Sequence, residues 1–141
     1  MKRFKNLLII LSVIILLIIS IGAKVDTKKV DPKMAKDIEG LENYYISTGK
    51  NFDSLPENTE VQVFLDEKPI FEYDKIGVVT VGQKFRFKGN NLVTHVQMAK
   101  IFALKKGANI VIVKDKQSQL VETGLGYTEK LTTTFELGKT K

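Results

Sequence analysis

Residues 92–113 read LVTHVQMAKIFALKKGANIVIV, a sequence that predicts a helix followed by a buried strand. Apolar residues recur at helical spacing through its first part, and Asn90 or Asn91 before it suits a helix N-cap. Gly107 follows two lysines that favour a helix C-terminus, so the helix is predicted to stop there. Residues 109–113 are apolar and β-branched, which is typical of a short strand buried on both faces.

Three other stretches have the pattern of strands. Residues 61–65 and 131–137 alternate apolar and polar side chains, and residues 71–81 form a long extended run. Gly77 in that run predicts a β-bulge or a close backbone approach. Residues 124–126, Gly-Leu-Gly, are interpreted as a turn before the last strand, because they do not open a helix as a dinucleotide-binding loop would.

An earlier helix is predicted to begin at Asp31 and Pro32, with the aspartate as N-cap and the proline at the first helical position. Its apolar stripe consists of Met34, Ile38, Leu41 and Tyr45. Residues 47–58 are rich in Gly, Asn, Asp, Ser and Pro, and they are predicted to form a loop.

Together these elements predict an α+β domain with a small mixed sheet and its helices mainly on one face. The strand–helix–strand unit of residues 71–113 predicts a right-handed crossover between parallel strands, after which the last strand returns antiparallel. We divide the chain into an N-terminal hydrophobic helix (residues 1–23), a connector with a short helix (24–58) and the α+β domain (59–141).

The N-terminal segment gives the strongest functional signal. Residues 7–23 are apolar apart from two serines, and the basic residues of the segment all precede this run. Such a pattern indicates either a signal anchor with its N-terminus inside or a signal peptide cleaved near residues 21–23. In both cases the domain lies outside the cytoplasm, as a single-pass cell-membrane protein or as a secreted one. A core helix of a cytosolic protein is the alternative, but a helix that is apolar on all sides has no polar face to present to water.

Composition excludes several classes of function. The 141 residues contain no cysteine, so disulfides, thiolate metal sites and a lipid-bearing cysteine are excluded. The net charge is +6, but residues 24–141 hold 19 basic and 16 acidic side chains, a net of +3. This mixed surface does not suggest a nucleic-acid partner. With one histidine, His95, and no carboxylate cluster, no metal or other cofactor is expected, and His95 is predicted to be structural.

Several short motifs lie between the first strand and the buried strand: residues 61–64 (VQVF), Lys68-Pro69, Tyr73, residues 76–79 (IGVV) and residues 105–113 (KKGANIVIV). In these motifs the chain resembles a group of small bacterial envelope domains, which includes the surface lipoprotein that senses stress for the Rcs phosphorelay. The resemblance covers residues 60–137 and implies a small extracytoplasmic fold. The chain lacks the cysteines of that sensor, so none of its functional residues maps here. A second family, named for heavy-metal binding, shares the Gly-Ala-Asn element.

One basic patch is a candidate contact for an anionic partner. Lys84, Arg86 and Lys88 alternate with Phe85 and Phe87 before the second helix. If this piece is extended, the three cations share one side, where they can meet lipid headgroups or an acidic protein. The alternative is an edge strand whose phenylalanines face the core and whose charges block edge pairing.

No pattern indicates catalysis. Asp66 and Glu67 are adjacent, so strand geometry would point them to opposite faces, and Glu72 and Asp74 are predicted to face water. The serines lack a nucleophile-elbow setting. We therefore expect a non-enzymatic module, tethered to the membrane through residues 7–23, that binds an envelope protein or the envelope surface. The alternatives are a small envelope enzyme and an accessory subunit of a membrane complex.

Overall fold

The computed structural model describes residues 30–84 and 88–141. The predicted hydrophobic helix, residues 7–23, lies outside these ranges. Within them, no helix has both the length and the apolar character needed to cross a membrane.

The described residues form two helices and a five-stranded mixed sheet, which confirms the α+β class. The elements in chain order are α1 (Pro32–Gly40), a 3-10 turn (Leu41–Tyr44), β1 (Tyr45–Ser47), β2 (Gln62–Phe64), β3 (Tyr73–Val81), α2 (Leu92–Lys105), β4 (Ile110–Thr123) and β5 (Gly126–Thr140). The strand order is β1-β3-β5-β4-β2. β2 pairs parallel with β4, and the other pairs are antiparallel.

The strand–helix–strand unit is split by the last strand. β3 and β4 both pair antiparallel with β5, so they run in the same direction, as predicted. They are not neighbours, however, because β5 lies between them. The parallel neighbour of β4 is β2, whose Val63 pairs with Val111.

Local signals in the sequence place the helix ends. The Asp31 carboxylate accepts a hydrogen bond from the Lys33 backbone N–H at 2.9 Å, and the Asn91 side chain accepts one from the Thr94 backbone N–H at 2.9 Å. α2 ends at Lys105, and Gly107 follows with a φ of 76°. These N-caps and the glycine stop are the predicted ones.

Both helices pack on the same face of the sheet. Alternate strand positions there carry Val79, Phe135 and Val111, which join α2 residues such as Phe102 in one core. Ile38 of α1 is 1% exposed and belongs to the same core. At the bulge in β3, a Cβ on Gly77 would lie 2.5 Å from the Tyr45 ring, so glycine permits both the bulge and the close approach.

Part of the predicted connector, residues 24–58, packs on the sheet. Within it α1, which contains the predicted short helix, contributes to the core, and Tyr45–Ser47 pairs with β3 as an edge strand. Tyr45 therefore lies in a strand and not on the helical stripe. A three-residue strand gives too short an alternation to be recognised in a sequence.

The last two strands are much longer than predicted. Pairing of β4 with β5 continues from Ile110↔Gly138 to Thr123↔Gly126, whereas β3 stops pairing with β5 at Val81↔Thr133. Residues 117–132 therefore extend beyond the part of the sheet in which β3, β5 and β4 pair, and we call them the arm. The arm is mostly polar on both faces, so the alternation expected of a half-buried strand is absent from it.

Candidate functional site

A groove lies between α1 and the segment that joins β3 to α2. Its volume is about 510 Å³, within the range of ligand pockets in proteins. Met34 and Leu41 from the α1 side and Val81 and Met98 from the sheet and α2 form its apolar floor. Leu41, Val81 and Met98 are buried, so the floor is continuous with the core.

Four exposed lysines form the rim of the groove. Lys33 and Lys36 belong to α1, and Lys84 and Lys88 belong to the segment between β3 and α2. Asp31 and Asp37 are the acidic residues among the described lining, so four lysines and two aspartates give a net charge of +2. The Asp31 carboxylate caps α1. A concave surface with this excess of cations attracts anionic groups.

The structure brings two of the three predicted basic residues to this rim. Lys84 and Lys88 line the groove, whereas Arg86 lies outside the described residues. β3 ends at Val81, and neither described lysine continues it as an edge strand. Their contact with an anionic partner stays a prediction.

Sequence reasoning missed the two lysines on the opposite rim. Lys33 and Lys36 are three positions apart on a helix, which places them on the same helical face. That spacing is the signal available in the sequence. Nothing in the sequence pairs this face with the β3–α2 segment, since the two are about fifty residues apart along the chain.

Backbone geometry fixes the β3–α2 segment against the arm. Gly82 turns the chain with a φ of 91°, and a Cβ at this position would clash with the Leu131 carbonyl oxygen. The Asn90 side chain bonds both polar backbone groups of Leu131: Oδ1 accepts from the N–H at 2.6 Å, and Nδ2 donates to the carbonyl at 3.1 Å. The groove and the base of the arm are therefore joined directly.

His95 lies at the inner end of the groove. The residue is 2% exposed, and its Nδ1 is 3.0 Å from the Thr133 hydroxyl. Burial lowers the pKa of its imidazole, so the ring is neutral at neutral pH. The side-chain partner that orients the ring is a hydroxyl and not a carboxylate, and the structural role of His95 stays a prediction.

A charged cluster occupies the opposite face of the sheet. Glu136 is 6% exposed; it accepts a hydrogen bond from the Tyr73 hydroxyl at 2.6 Å and lies 3.0 Å from Lys75 Nζ. Lys114 Nζ is 3.9 Å away. Because the buried carboxylate is paired, the cluster has the character of a structural ion pair.

The other predicted carboxylates do not converge. Asp74 pairs with Lys50, and Glu72 pairs with Lys141 at 2.8 Å. In residues 30–84 and 88–141, no three His, Cys, Asp or Glu side chains are grouped so that they could hold a metal ion.

Comparisons with known proteins give no relative. The chain matches no protein-family model, no curated protein and no solved structure. The resemblance of residues 60–137 to envelope lipoproteins stays a prediction.

Proposed function

We propose that this chain is a non-enzymatic, membrane-tethered module of the bacterial envelope that binds an acidic, partly apolar segment of another envelope protein in the groove. The apolar run of residues 7–23 supports the tether. The apolar floor and lysine rim of the groove support an acidic, partly apolar segment as the ligand.

The observation that carries the proposal is the combination of an apolar floor with a lysine rim. Met34, Leu41 and Met98 offer burial to one or two apolar side chains. Lys33, Lys36, Lys84 and Lys88 surround that floor at positions where carboxylates of a bound segment can pair with them. A segment that alternates acidic and apolar residues satisfies both parts of the groove.

Binding is favoured over catalysis by the titratable groups of the groove. His95 is the one described side chain there whose ordinary pKa lies near neutrality, and burial lowers that pKa further. Its Nδ1 is bonded to Thr133, while the Asp31 carboxylate is bonded to the backbone of α1. Neither arrangement resembles an oriented acid–base pair.

The test uses the full chain in detergent and a fluorescent peptide of alternating glutamate and leucine. Lys84→Gln with Lys88→Gln removes two rim charges. Lys68→Gln with Lys105→Gln is the matched control, because both of these lysines are exposed and neither lines the groove. Fluorescence anisotropy measures the dissociation constant.

We expect the rim variant to weaken binding by about fivefold to tenfold, since two partly exposed ion pairs contribute about 1 kcal/mol together. The control should bind as the unaltered chain does, and a lysine–leucine peptide should not bind. Equal affinity of the rim variant and the unaltered chain would refute the proposal.

A further inference from the structure

The arm ends in an exposed apolar tip. Leu125, in the turn between β4 and β5, is 101% exposed, and Leu120 and Tyr127 are 77% and 74% exposed. Leu120 pairs with Glu129 and Tyr127 pairs with Glu122, so Leu120 and Tyr127 are diagonal neighbours on the same face of the arm. Three large apolar side chains thus collect at the end of a projecting hairpin, which marks a contact surface.

The rest of the arm is mostly polar. Residues 117–132 contain one lysine (Lys130) and two acidic residues (Glu122 and Glu129), a net charge of −1. With so little charge on the arm, the apolar side chains of the tip are the feature that a partner can recognise.

The start of α1 and the base of the arm border the same groove. Asp31 lines the groove together with Gly82 and Gln83, and the Gln83 carbonyl accepts a 3.1 Å hydrogen bond from Lys130 at the base of the arm.

Two lengths agree. The arm extends seven residues, 126–132, past the last pair with β3, which is about 24 Å of strand. Residues 24–31 join the apolar run to α1, and eight residues span at most about 28 Å. The tip of the arm and the end of the apolar run can therefore reach the same plane.

We propose that the arm is a second membrane contact, with Leu125 and Tyr127 placed in the interface of the bilayer that holds residues 7–23. This inference rests on the tether of the proposed function. Leucine partitions into the acyl boundary, and tyrosine favours the headgroup level. Two apolar side chains are sufficient for this contact, because the tether keeps the tip at a high local concentration near the bilayer. The arm then acts as a spacer that holds the groove about one arm length above the lipid surface.

The absence of cysteine from the chain permits a site-specific test. Leu125→Cys carries an environment-sensitive fluorophore at the tip. Asn58→Cys carries it at an exposed site near the C-terminal end of α2, where Leu55 N–H bonds the Leu104 carbonyl. The full chain is reconstituted in phosphatidylcholine vesicles that contain a lipid with a spin-label quencher near its headgroup.

We expect the Leu125→Cys label to be quenched several-fold more strongly than the Asn58→Cys label. The difference should survive added salt, because apolar side chains make the contact, and Tyr127→Ser in the Leu125→Cys background should reduce it. Equal quenching at the two sites would overturn the inference. Disulfide formation between unlabelled Leu125→Cys chains would also overturn it by showing that a second copy occupies the tip.

Vesicle flotation separates this failure from that of the proposed function. If the chain does not float with the vesicles, the tether is wrong, and both proposals fail. If it floats while the tip label stays in water, the arm inference alone fails. The peptide-binding test of the groove in detergent is independent of the position of the arm.

Discussion

The Tyr73 hydroxyl donates a 2.6 Å hydrogen bond to Oε1 of Glu136, and this bond joins β3 to β5 on the face of the sheet opposite the helices. Tyr73 lies against Gly138, where a Cβ would be 2.5 Å from its ring. The glycine therefore lets the tyrosine reach along the sheet to a buried carboxylate.

Removing this hydroxyl should destabilise the domain. Tyr73→Phe leaves Glu136 without one of its donors, and a hydrogen bond to a charged group contributes about 1.5–3 kcal/mol. Chemical denaturation should show a loss of about this size. Tyr127→Phe is the matched control, since that residue is 74% exposed, and it should change little. Equal stability of the two variants would contradict the role of the bond.

The same pair should be visible in an alkaline titration. The hydrogen bond to Glu136, then burial and the negative charge of Glu136, raise the pKa of Tyr73 to about 12 from 10.0. The unfolded chain therefore loses its proton first, and the stability from this group declines as the pH rises from 10 towards 12. Glu136→Gln should bring the pKa of Tyr73 back towards 10, as measured by tyrosinate absorbance. An unchanged titration would contradict this assignment.

His95 should make the domain less stable in mild acid. Burial lowers the pKa of its imidazole below the ordinary 6.5, so below pH 6.5 the unfolded state binds the proton first. Stability from His95 is complete above pH 6.5 and declines as the pH falls through the folded pKa. His95→Gln removes this titration. On acidification, the unaltered chain should therefore lose more unfolding free energy than His95→Gln does. A difference between the two that stays constant with pH would contradict the role of His95.

Gly77 should not tolerate a methyl group. A Cβ there would lie 2.5 Å from the Tyr45 ring and 2.6 Å from the Ile46 carbonyl oxygen, and the backbone atom cannot move aside cheaply. Gly77→Ala should cost about 1–3 kcal/mol of unfolding free energy. Gly124→Ala provides the control, because nothing lies within 4 Å of a Cβ at that position, and its effect should stay within about 0.5 kcal/mol.

Asn90 should hold the base of the arm. Asn90→Ala removes both hydrogen bonds to the Leu131 backbone and should cost about 1–3 kcal/mol. Amide hydrogen exchange at Leu131 should accelerate, while exchange at Leu137, paired deep in the sheet, should change by no more than the global loss of stability. Asn58→Ala, at an exposed site, should leave both rates unaltered.

The sequence predicts the elements better than their arrangement. The caps at Asp31 and Asn91, the stop at Gly107 and the irregularity at Gly77 all follow from local backbone requirements, and each lies where it was predicted. The position of β5 between β3 and β4 does not follow, because parallel orientation of two strands leaves room for a third between them.

The groove could be predicted only in part. Lys84 and Lys88 stand in a basic cluster that is visible in the sequence, whereas Lys33 and Lys36 join them only because α1 packs on the same face as α2. Glu136 alternates with apolar neighbours and would be assigned to solvent. Its burial depends on Tyr73 and Lys75, which come from another strand.

The class of the domain, the ends of its helices and the apolar run that precedes it can be read from the sequence, since they depend on neighbouring residues and on periodicity. Three other features are visible only in the folded chain: α1 belongs to the core, four lysines surround one groove, and β4 and β5 extend beyond the sheet as an arm. Each of these depends on contacts between residues far apart in the chain, whose geometry is set by packing and pairing and not by local preference.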